Sequence, residues 1–467
     1  MILTFNTLFE SQAPAVFDGA RQMWWSYRQL GEAVEKLQRH LPSRRCLAFC
    51  FCGNDLATIV NYLALVGAGH AVALLNGSNP LLQRPLVGGY SPELLLASQP
   101  LPFPTDGYAL SEHGGTSLYR KQDLPVQALF PELAVLLSTS GTTGSPKFVR
   151  LSYGNLHANA DAIRQALAIT AQDRAMGSLP LHYSYGLSVL NSHLLAGASL
   201  AITAHGLLST EYWDVCRAAA CTSMAGVPYS YQALARLDLD ELRVPQLTTL
   251  TQAGGKLNTE LIARFHGLMQ QRGGRFFVMY GQTEATARMA VLPAEELPRK
   301  LGAAGLPIAG GHFAIAREDG SLSSGAGVPG ELVYSGPNVM LGYASQRSDL
   351  ARGDELRGTL CTGDLCELDE EGYLYVKGRM KRDAKVLGLR INLDEVEGML
   401  RAHGPTAVVA GSDKLYVFCE YGTASSLAAL HRQLARNLRL SQAALEFKRI
   451  EKLPTTQSGK TDYAALR

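Results

Sequence analysis

The chain has 467 residues, of which 46% are hydrophobic and 18% are charged, and its formal net charge is +2. This length exceeds what one small core needs and predicts two to four domains or subdomains. The near-neutral charge gives no reason to expect nucleic acid as a partner. The most apolar region, 189–203, contains polar residues and is too short for a membrane span, so it predicts a buried helix that leads into a strand.

The eight cysteines show no spacing that is typical of a zinc site or a redox pair. In a chain of this length they indicate reduced, mostly buried thiols, which favours a cytoplasmic location. The amino terminus has no basic segment followed by an apolar stretch, so we expect no signal peptide.

Short apolar runs alternate with amphipathic stretches over the first 300 residues, which predicts an α/β fold with largely parallel sheets. A helix is expected to begin near Asn155, after a short strand at 148–151. The predicted strands include 47–51, 71–75, 135–137 and 276–279, and the predicted helices include 55–66, 155–167, 229–237 and 259–271.

Beyond about residue 300, glycine-rich turns separate short strands, which predicts a β-rich subdomain over about 300–378. Past Arg379 the chain is expected to form a small α+β unit. The predicted division is therefore a large domain over 1–380 and a small domain over 381–467.

Residues 137–147 read Leu-Ser-Thr-Ser-Gly-Thr-Thr-Gly-Ser-Pro-Lys and follow the apolar run 133–137. Glycines let backbone N–H groups approach an anion closely, and the hydroxyls and the lysine add donors and positive charge. The pattern predicts a strand that ends in a phosphate-binding loop, although it differs from the common G-x-x-x-x-G-K-[ST] loop. The predicted phosphate-binding residues are Thr139, Ser140, Gly141, Thr142, Thr143, Gly144 and Lys147.

A second motif, Tyr280-Gly281-Gln282-Thr283-Glu284, follows the predicted strand 276–279. A strand that ends this way presents a hydroxyl and a carboxylate at its carboxyl end, where α/β folds bind ligands. Mg²⁺ bound with a nucleotide keeps waters and takes phosphate oxygens, so one protein carboxylate is enough to hold it. By itself, the string fits a capped loop as well as a site in which Glu284 is a metal ligand.

These two motifs and several later ones occur in the order found in the adenylate-forming (AMP-binding) superfamily, which the chain resembles from about residue 137 to 460. That superfamily includes acyl-CoA synthetases, aryl-CoA ligases, nonribosomal-peptide adenylation domains and luciferases. The later segments that carry the resemblance are 252–257, Thr362-Gly363-Asp364, Gly378-Arg379 and Ser458-Gly459-Lys460.

The resemblance implies a role for each matching residue. Glu284 would hold Mg²⁺, Tyr280 would stack on adenine, and Asp364 and Arg379 would bind the ribose. Lys460 would be the catalytic lysine, which bridges the substrate carboxylate and the α-phosphate as negative charge builds. The remaining residues assigned to the nucleotide site are Gly254, Gly255, Gly281, Gln282 and Thr283.

The resemblance also implies the reaction and the domain movement. A carboxylic acid attacks the α-phosphate of ATP and expels pyrophosphate, and a thiol then takes the acyl group from the adenylate. The small domain is expected to be mobile and to rotate about the hinge residue Lys381. The rotation would move Lys460 out and bring 385–390 in.

The acid substrate is expected to contact residues in segment 179–187 and in segment 223–229. Amino-acid-activating relatives carry an aspartate after the Leu-Pro-containing segment, and segment 179–187 has no acidic residue, so amino acids are disfavoured. The order His182-Tyr183 differs from the order in acyl- and aryl-CoA ligases, so core packing and substrate contact both stay open for these rings. The assigned substrate residues are His182, Tyr183, Gly226 and Val227.

CoA is the favoured acceptor, because free-standing chains of this length in the superfamily commonly use it. Segment 388–397 resembles carrier-protein-loading enzymes as much as CoA ligases, so a phosphopantetheinyl carrier protein is the alternative. A non-catalytic nucleotide-binding regulator is a remote alternative. It would be expected to lack Glu284, Asp364 or Lys460, and all three are present. A monomer or a homodimer is expected.

Overall fold

The computed structural model describes residues 8–122, 128–138, 147–239, 241–317, 319–386, 389–411, 414–438, 440–456 and 461–466. The α-helices in these ranges are α1 (Tyr27–Gln38), α2 (Leu56–Gly67), α3 (Arg84–Tyr90), α4 (Tyr153–Ala166), α5 (Ser184–Leu195), α6 (Thr210–Ala218), α7 (Pro228–Leu234), α8 (Thr259–Gln271), α9 (Leu393–Leu400) and α10 (Ala424–Leu438).

The strands of the first 300 residues are β1 (Pro14–Asp18), β2 (Met23–Ser26), β3 (Leu47–Cys52), β4 (Ala71–Asn76), β5 (Leu94–Ala97), β6 (Tyr108–His113), β7 (Thr116–Lys121), β8 (Leu133–Ser138), β9 (Phe148–Ser152), β10 (Arg174–Gly177), β11 (Ser199–Ile202), β12 (Ser223–Gly226), β13 (Thr249–Gln252), β14 (Arg275–Tyr280) and β15 (Ala290–Leu292). The later strands are β16 (Leu306–Pro307), β17 (His312–Ala316), β18 (Leu322–Ser323), β19 (Gly330–Ser335), β20 (Gly342–Ala344), β21 (Thr359–Leu368), β22 (Leu374–Arg379), β23 (Asp383–Val386), β24 (Leu389–Asn392), β25 (Thr406–Ala410), β26 (Leu415–Cys419) and β27 (Leu445–Arg449).

The chain divides into two compact units. The first unit comprises Met1–His312 and Ser335–Leu360, and the second comprises Phe313–Tyr334 and Cys361–Arg467. The predicted division between residues 380 and 381 stays a prediction.

Two large sheets form the framework of the first unit. One has nine strands in the order β16-β15-β14-β13-β12-β10-β11-β1-β2, and the other has eight in the order β20-β9-β8-β4-β3-β5-β7-β6. Both have a parallel centre with antiparallel strands at the edges. The central strands β3 and β4 are buried along their whole length, as their unbroken apolar sequences require in a sheet covered on both faces.

Helices from the two sheets meet inside the first unit. Helix α2 packs on β3 and β4 of one sheet, and α5 packs on β10 and β11 of the other. The Tyr62 hydroxyl of α2 donates to the Asn191 amide oxygen of α5 at 3.1 Å, and both side chains are buried. Asn54 adds a second link, since its amide donates to the carbonyls of Gly177 and Thr203 at 2.8 and 2.7 Å.

The second unit contains a five-stranded sheet, a two-stranded sheet and a three-stranded sheet. Their strand orders are β18-β17-β19-β21-β22, β23-β24 and β25-β26-β27. Helices α9 and α10 lie in the carboxyl-terminal part and share a core with β25–β27 that includes Val396, Val417 and Leu434. The glycine-rich stretch after residue 300 therefore forms short strands, and the segment past Arg379 mixes helices and strands.

The predicted α/β architecture is confirmed, and each strand and helix predicted in the first 300 residues is present with small shifts of its ends. Helix α4 begins at Tyr153 instead of near Asn155. Ser152 is its N-cap, and Asn155 completes a capping box by accepting from the Ser152 N–H at 2.8 Å. The eight cysteines are free, and all except Cys361 are buried.

The region 189–203 forms the second half of α5 and strand β11. None of the helices in the described ranges is long and apolar enough to cross a lipid bilayer.

Arg150 on β9 attaches the segment after β20 to the eight-stranded sheet. Its side chain is fully buried and pairs with the Glu355 carboxylate. It also donates to the carbonyls of Leu341 and Gly353 at 3.1 and 3.2 Å. This fixes strand β20 beside β9, where Tyr343 pairs with Val149.

We expect Arg150→Met to lower the free energy of unfolding by roughly 3–5 kcal/mol, because it leaves the Glu355 carboxylate and several buried carbonyls without their donor. Urea denaturation followed by circular dichroism measures the change. The control is Arg164→Met, which removes the exposed Arg164–Asp161 ion pair and should change stability by less than about 1 kcal/mol. Equal effects of the two substitutions would contradict the role of Arg150.

Candidate active site

The carboxyl ends of four neighbouring strands meet at one edge of the nine-stranded sheet. Strands β10, β12, β13 and β14 are parallel and adjacent, with Gly226 opposite Gln252 and Gln252 opposite Val278. Because parallel strands end on the same side, the loops after them lie together. These loops carry the predicted residues Tyr183, Val227, Gly254 and Glu284.

Gly254 lies against two of the predicted substrate residues. Its φ is +83°, and a Cβ atom at this position would be 2.5 Å from the Tyr183 hydroxyl and 3.1 Å from Val227. Only glycine fits there, since both the backbone conformation and the space exclude a side chain. Gly226 packs in a similar way, because a Cβ atom added to it would lie 2.9 Å from the Tyr231 ring. Gly254, which is assigned to the nucleotide site, is therefore in contact with Tyr183 and Val227, which are assigned to the substrate.

The chain reverses direction sharply between β14 and β15. A Cβ atom on Gly281 would lie 1.9 Å from the Ala287 carbonyl oxygen, so the two sides of the turn are too close for any side chain. Thr286 has φ +64° and ψ −59°, and the Ala287 N–H donates to the Ala285 carbonyl across it at 2.7 Å. This is a γ-turn with positive φ, a rare and strained conformation for a β-branched residue.

Two buried asparagines hold the strained turn in place. Asn338 donates to the carbonyls of Ala285 and Arg288 at 2.9 and 2.8 Å, and the Thr286 hydroxyl donates to the Asn338 carbonyl at 2.7 Å. Asn159 on α4 exchanges hydrogen bonds with the Arg288 backbone, donating at 2.9 Å and accepting at 3.3 Å. The backbone carbonyls of Ala285 and Arg288 and the Arg288 N–H are thus paired with side chains from distant segments.

Glu284, the candidate metal ligand, meets Tyr343 and Lys147 at this edge. The Tyr343 hydroxyl donates to the Glu284 carboxylate at 2.8 Å. The Lys147 amino group lies 5.6 Å from the centre of the Tyr343 ring, within range of a cation–π contact. The structure therefore brings the residue that ends the predicted phosphate loop close to the predicted metal ligand.

The start of helix α5 packs directly onto the motif that contains Glu284. The Ser184 and Thr283 hydroxyls are 3.2 Å apart. A Cβ atom on Gly186 would lie 2.3 Å from the Pro180 carbonyl, so this glycine lets α5 approach the loop after β10. The loop after β10 and the start of α5 therefore pack against each other beside Tyr280–Glu284.

His182 lies half-buried in the loop before α5. Burial lowers the pKa of its imidazole to about 4. Its Nδ1 atom has no hydrogen-bond partner among the described residues. At neutral pH the ring is therefore uncharged, and it can contact an apolar group or donate one hydrogen bond but cannot act as a cation.

Asp364 and Arg379 lie opposite each other on β21 and β22 in the second unit. Their side chains form an ion pair with an Nε–Oδ1 distance of 2.9 Å, in which Asp364 is 4% exposed and Arg379 is 59% exposed. Thr362 donates to the Leu332 carbonyl at 2.8 Å, and Gly363 has φ +72°. The two residues assigned to the ribose are thus together.

The predicted hinge residue Lys381 lies in the short 3-10 turn Met380–Arg382. The next residue, Arg382, pairs with Glu397 and Asp394 at 2.8 and 2.9 Å, and its guanidinium lies 3.8 Å from the centre of the Tyr463 ring. The Tyr463 hydroxyl donates to Glu397 at 3.0 Å. The segment that follows Lys460 in sequence is therefore attached beside the hinge turn.

Several predicted residues lie outside the described ranges. They are Thr139, Ser140, Gly141, Thr142, Thr143, Gly144 and Lys460. Thr455 and Thr461, on either side of the segment that includes Lys460, pair with each other as a β-bridge.

Sequence reasoning missed several residues that the structure places at the edge. Tyr343 is not among the residues assigned to the site from the sequence, although its hydroxyl contacts Glu284. No motif singles out Arg288 or Asn338. The one sequence signal is the proximity of Arg288 to the Tyr280–Glu284 motif, since Asn338 and Tyr343 are at least fifty residues away from the groups that they contact.

A family model described as AMP-binding enzyme matches residues 98–344, which is more than half of the chain. The chain belongs to the AMP-binding enzyme family. The match includes the predicted phosphate loop and the Tyr280–Glu284 motif, and it confirms the resemblance found in the sequence.

Three known proteins resemble this AMP-binding enzyme. The medium-chain fatty-acid–CoA ligase of Escherichia coli (strain K12) is 32% identical over 72% of this chain and 61% of its own length. The 2-succinylbenzoate–CoA ligase of Bacillus subtilis (strain 168) is 33% identical over 60% of this chain and 55% of its own length. The structure of ATP-bound MatB from Rhodopseudomonas palustris matches with a TM-score of 0.79, 21% identity and coverage of 100% of this chain and 98% of that chain.

The match to MatB shows that this chain has the same fold as MatB. The aligned regions span less than two thirds of the length of each of the two ligases.

We expect Gly281→Ala to lower the free energy of unfolding by more than about 2 kcal/mol, because the new methyl group would meet the Ala287 carbonyl. Thermal unfolding measured by calorimetry tests this. Gly267→Ala is the matched control: it lies within helix α8, where an added Cβ would have no neighbouring atom within 4 Å, so alanine should stabilise by about 0.5–1 kcal/mol. If Gly281→Ala left the free energy of unfolding unchanged, the reversal would have room for a side chain and the close contact would be contradicted.

The low pKa of His182 predicts a loss of stability in acid. The folded protein keeps this ring unprotonated down to about pH 4, whereas the unfolded chain takes up the proton near pH 6.5. The stability that depends on the unprotonated His182 ring is thus fully present above pH 6.5 and is lost as the pH falls from 6.5 toward 4. His182→Gln should reduce the loss of unfolding free energy between pH 7 and 5 by on the order of 2 kcal/mol.

Urea denaturation at the two pH values measures this difference. His205 is exposed, so His205→Gln should lose as much unfolding free energy between pH 7 and 5 as the unsubstituted protein does. If His182→Gln behaves like the His205 variant, the ring is not held neutral by burial.

Proposed function

We propose that this chain activates a carboxylic acid with ATP and Mg²⁺, forming an acyl-adenylate and pyrophosphate, and then transfers the acyl group to the thiol of CoA. The observation that carries the proposal is the meeting of Glu284, Tyr343 and Lys147 at the carboxyl edge of parallel strands. This arrangement places a carboxylate for a metal and a cation for phosphate next to each other. Family membership supports the same reading.

Glu284 fits a magnesium ion that is bound together with a nucleotide. No group of three or more histidine, cysteine or acidic side chains gathers in the described ranges, so the site suits an ion that takes most ligands from water and phosphate. The Tyr343 hydroxyl orients the carboxylate by hydrogen bonding to it. When bound, Mg²⁺ would neutralise negative charge on the phosphates.

The other predicted residues act on ATP itself. The loop from Thr139 to Lys147 would hold the β- and γ-phosphates, which leave as pyrophosphate. Asp364 would accept hydrogen bonds from the ribose hydroxyls, and its partner Arg379 holds its carboxylate in place. Lys460 would stabilise the charge that builds between the attacking carboxylate and the α-phosphate, because a preorganised cation lowers that barrier.

The second step needs a thiol to attack the carbonyl carbon of the adenylate and AMP to leave. CoA is the proposed thiol, and the similarity to two CoA ligases supports it. A phosphopantetheinyl carrier protein is the alternative acceptor. Rotation about Lys381 would exchange Lys460 for the segment 385–390 between the two steps.

The acid would lie beside Tyr183, Gly226 and Val227, which line the edge together with Gly254. His182 is uncharged at neutral pH and so would contribute a ring surface without charge. The buried, free cysteines support a reducing compartment, and we propose the cytoplasm.

ATP–pyrophosphate exchange with a panel of aliphatic, aryl and amino acids tests the proposed function. We expect exchange with one class of carboxylic acid and none with amino acids. Lys460→Ala should lower the exchange rate by about 10²–10³-fold, the scale for loss of one preorganised charge stabiliser. The same variant should still form thioester from an acyl-adenylate that is supplied to it.

Lys452→Ala is the matched control, since Lys452 is an exposed lysine in the same segment, and it should exchange at the normal rate. Absence of exchange with every acid in the panel would overturn the proposed function and favour a nucleotide-binding regulator. Equal losses from Lys460→Ala in both half-reactions would overturn the role given to that lysine. Thioester formation with CoA compared with a carrier protein separates the two acceptors.

A further inference from the structure

Arg288 is a buried cation with no carboxylate partner in the described part of the chain. Only 2% of the surface of this residue is exposed to solvent. Three arginines are buried in the described part of the chain, and the other two, Arg150 and Arg347, pair with Glu355 and Glu93. Arg288 forms no ion pair with any described residue, and its Nε atom has no hydrogen-bond partner there. An unpaired buried charge is costly, so its presence calls for an anion.

The backbone holds Arg288 in position, and Tyr185 faces its guanidinium. Asn159 and Asn338 fix the N–H and C=O groups of Arg288, as described above. The guanidinium carbon lies 4.6 Å from the centre of the Tyr185 ring, which is a cation–π contact, and the Nε–H group has no hydrogen-bond acceptor among the described residues. Burial lowers the pKa of the guanidinium, and the neighbouring Tyr185 and Tyr183 oppose that shift.

Arg288 lines a cavity between the helices and the nine-stranded sheet. The walls come from the end of α4 and the loop after it, from α5, from β10, from β12 to β14, and from Arg288 itself, and they include Ser188, Ala225, Thr251 and Met279. The remaining charged residues of the lining, Asp173 and Arg275, lie near the opposite, amino-terminal ends of the strands. Arg288 is therefore the cation at the end of the cavity near the carboxyl edge.

A row of aromatic rings connects this cavity with the proposed nucleotide site. Tyr183 lies against Gly254, its ring centre is 6.3 Å from that of Tyr185, and Tyr185 covers Arg288. The Tyr185 hydroxyl is fixed by Thr251 at 2.8 Å. An acid whose reacting carboxylate lies beside Gly254 would extend past Tyr183 toward Arg288.

We propose that Arg288 binds a second carboxylate at the far end of the substrate, so that the enzyme activates dicarboxylic acids in preference to monocarboxylic acids. The inference rests on the proposed function and specifies its substrate class. A guanidinium can bind a carboxylate through two parallel hydrogen bonds, which a lysine cannot reproduce. In a site that excludes water, an acid with a methyl group in place of that carboxylate would leave the cation unpaired.

The test compares matched acids in the ATP–pyrophosphate exchange assay with the full chain. Glutarate, adipate, suberate and terephthalate are paired with pentanoate, hexanoate, octanoate and 4-methylbenzoate, in which a methyl group replaces the second carboxylate. We expect kcat/KM for at least one diacid to exceed that of its partner by about 10²-fold or more, as for sites that hydrogen-bond a substrate group.

Arg288→Met should lower kcat/KM for that diacid by about 10²-fold or more and leave or raise the value for its partner. Arg288→Lys should recover only part of the diacid rate, because it offers a point charge. Arg164→Met, at a surface position, is the control and should change neither value. A purely structural role for Arg288 would lower both values together.

The wild-type comparison decides the question even if Arg288→Met fails to fold. Exchange that favours the monocarboxylic acids, or treats each pair equally, would overturn the dicarboxylate inference and leave the proposed function standing. Absence of exchange with all acids of both series would instead overturn the proposed function.

Discussion

The reversal between β14 and β15 is the constraint on which the site depends. The chain turns back through a strained γ-turn at Thr286, and the carbonyls of Ala285 and Arg288 become buried without partners in a strand or helix. Asn338 donates to both carbonyls, and Asn159 supports Arg288 from the other side. A buried carbonyl without a donor costs about 1–3 kcal/mol, so these amides make the strained turn sustainable.

The same turn sets the chemistry on its two sides. Glu284 lies before Thr286 and faces the edge where Tyr343 and Lys147 meet. Arg288 lies after it and faces the cavity beneath Tyr185. Because the two charged groups lie close in sequence on a rigid reversal, the proposed metal ligand and the proposed carboxylate-binding cation hold fixed positions relative to each other. Strain at this turn is thus associated with placement of function.

Much of the fold followed from local patterns in the sequence. Apolar runs such as Leu47–Cys52 form strands buried on both faces, and amphipathic stretches form the helices between them. The sequence pattern puts the start of α4 two residues too late, because asparagine is common where a helix begins. In the structure Ser152 is the N-cap, and the Asn155 side chain completes the capping box from the third helical position. Asparagine occurs at both kinds of position, so the sequence pattern alone does not separate them. The motifs of the site could be found because each is contiguous in the chain.

The sequence by itself determined the family, the α/β class and the order of the motifs, because each depends on residues that are neighbours along the chain. Tertiary structure alone decided that Tyr343 orients Glu284 and that Arg288 is buried with no carboxylate of a described residue paired to it. The first contact joins residues 59 positions apart, and the second depends on which acidic residues fail to approach Arg288. Folding brings distant groups together and excludes water from them, and neither effect is encoded in a local pattern.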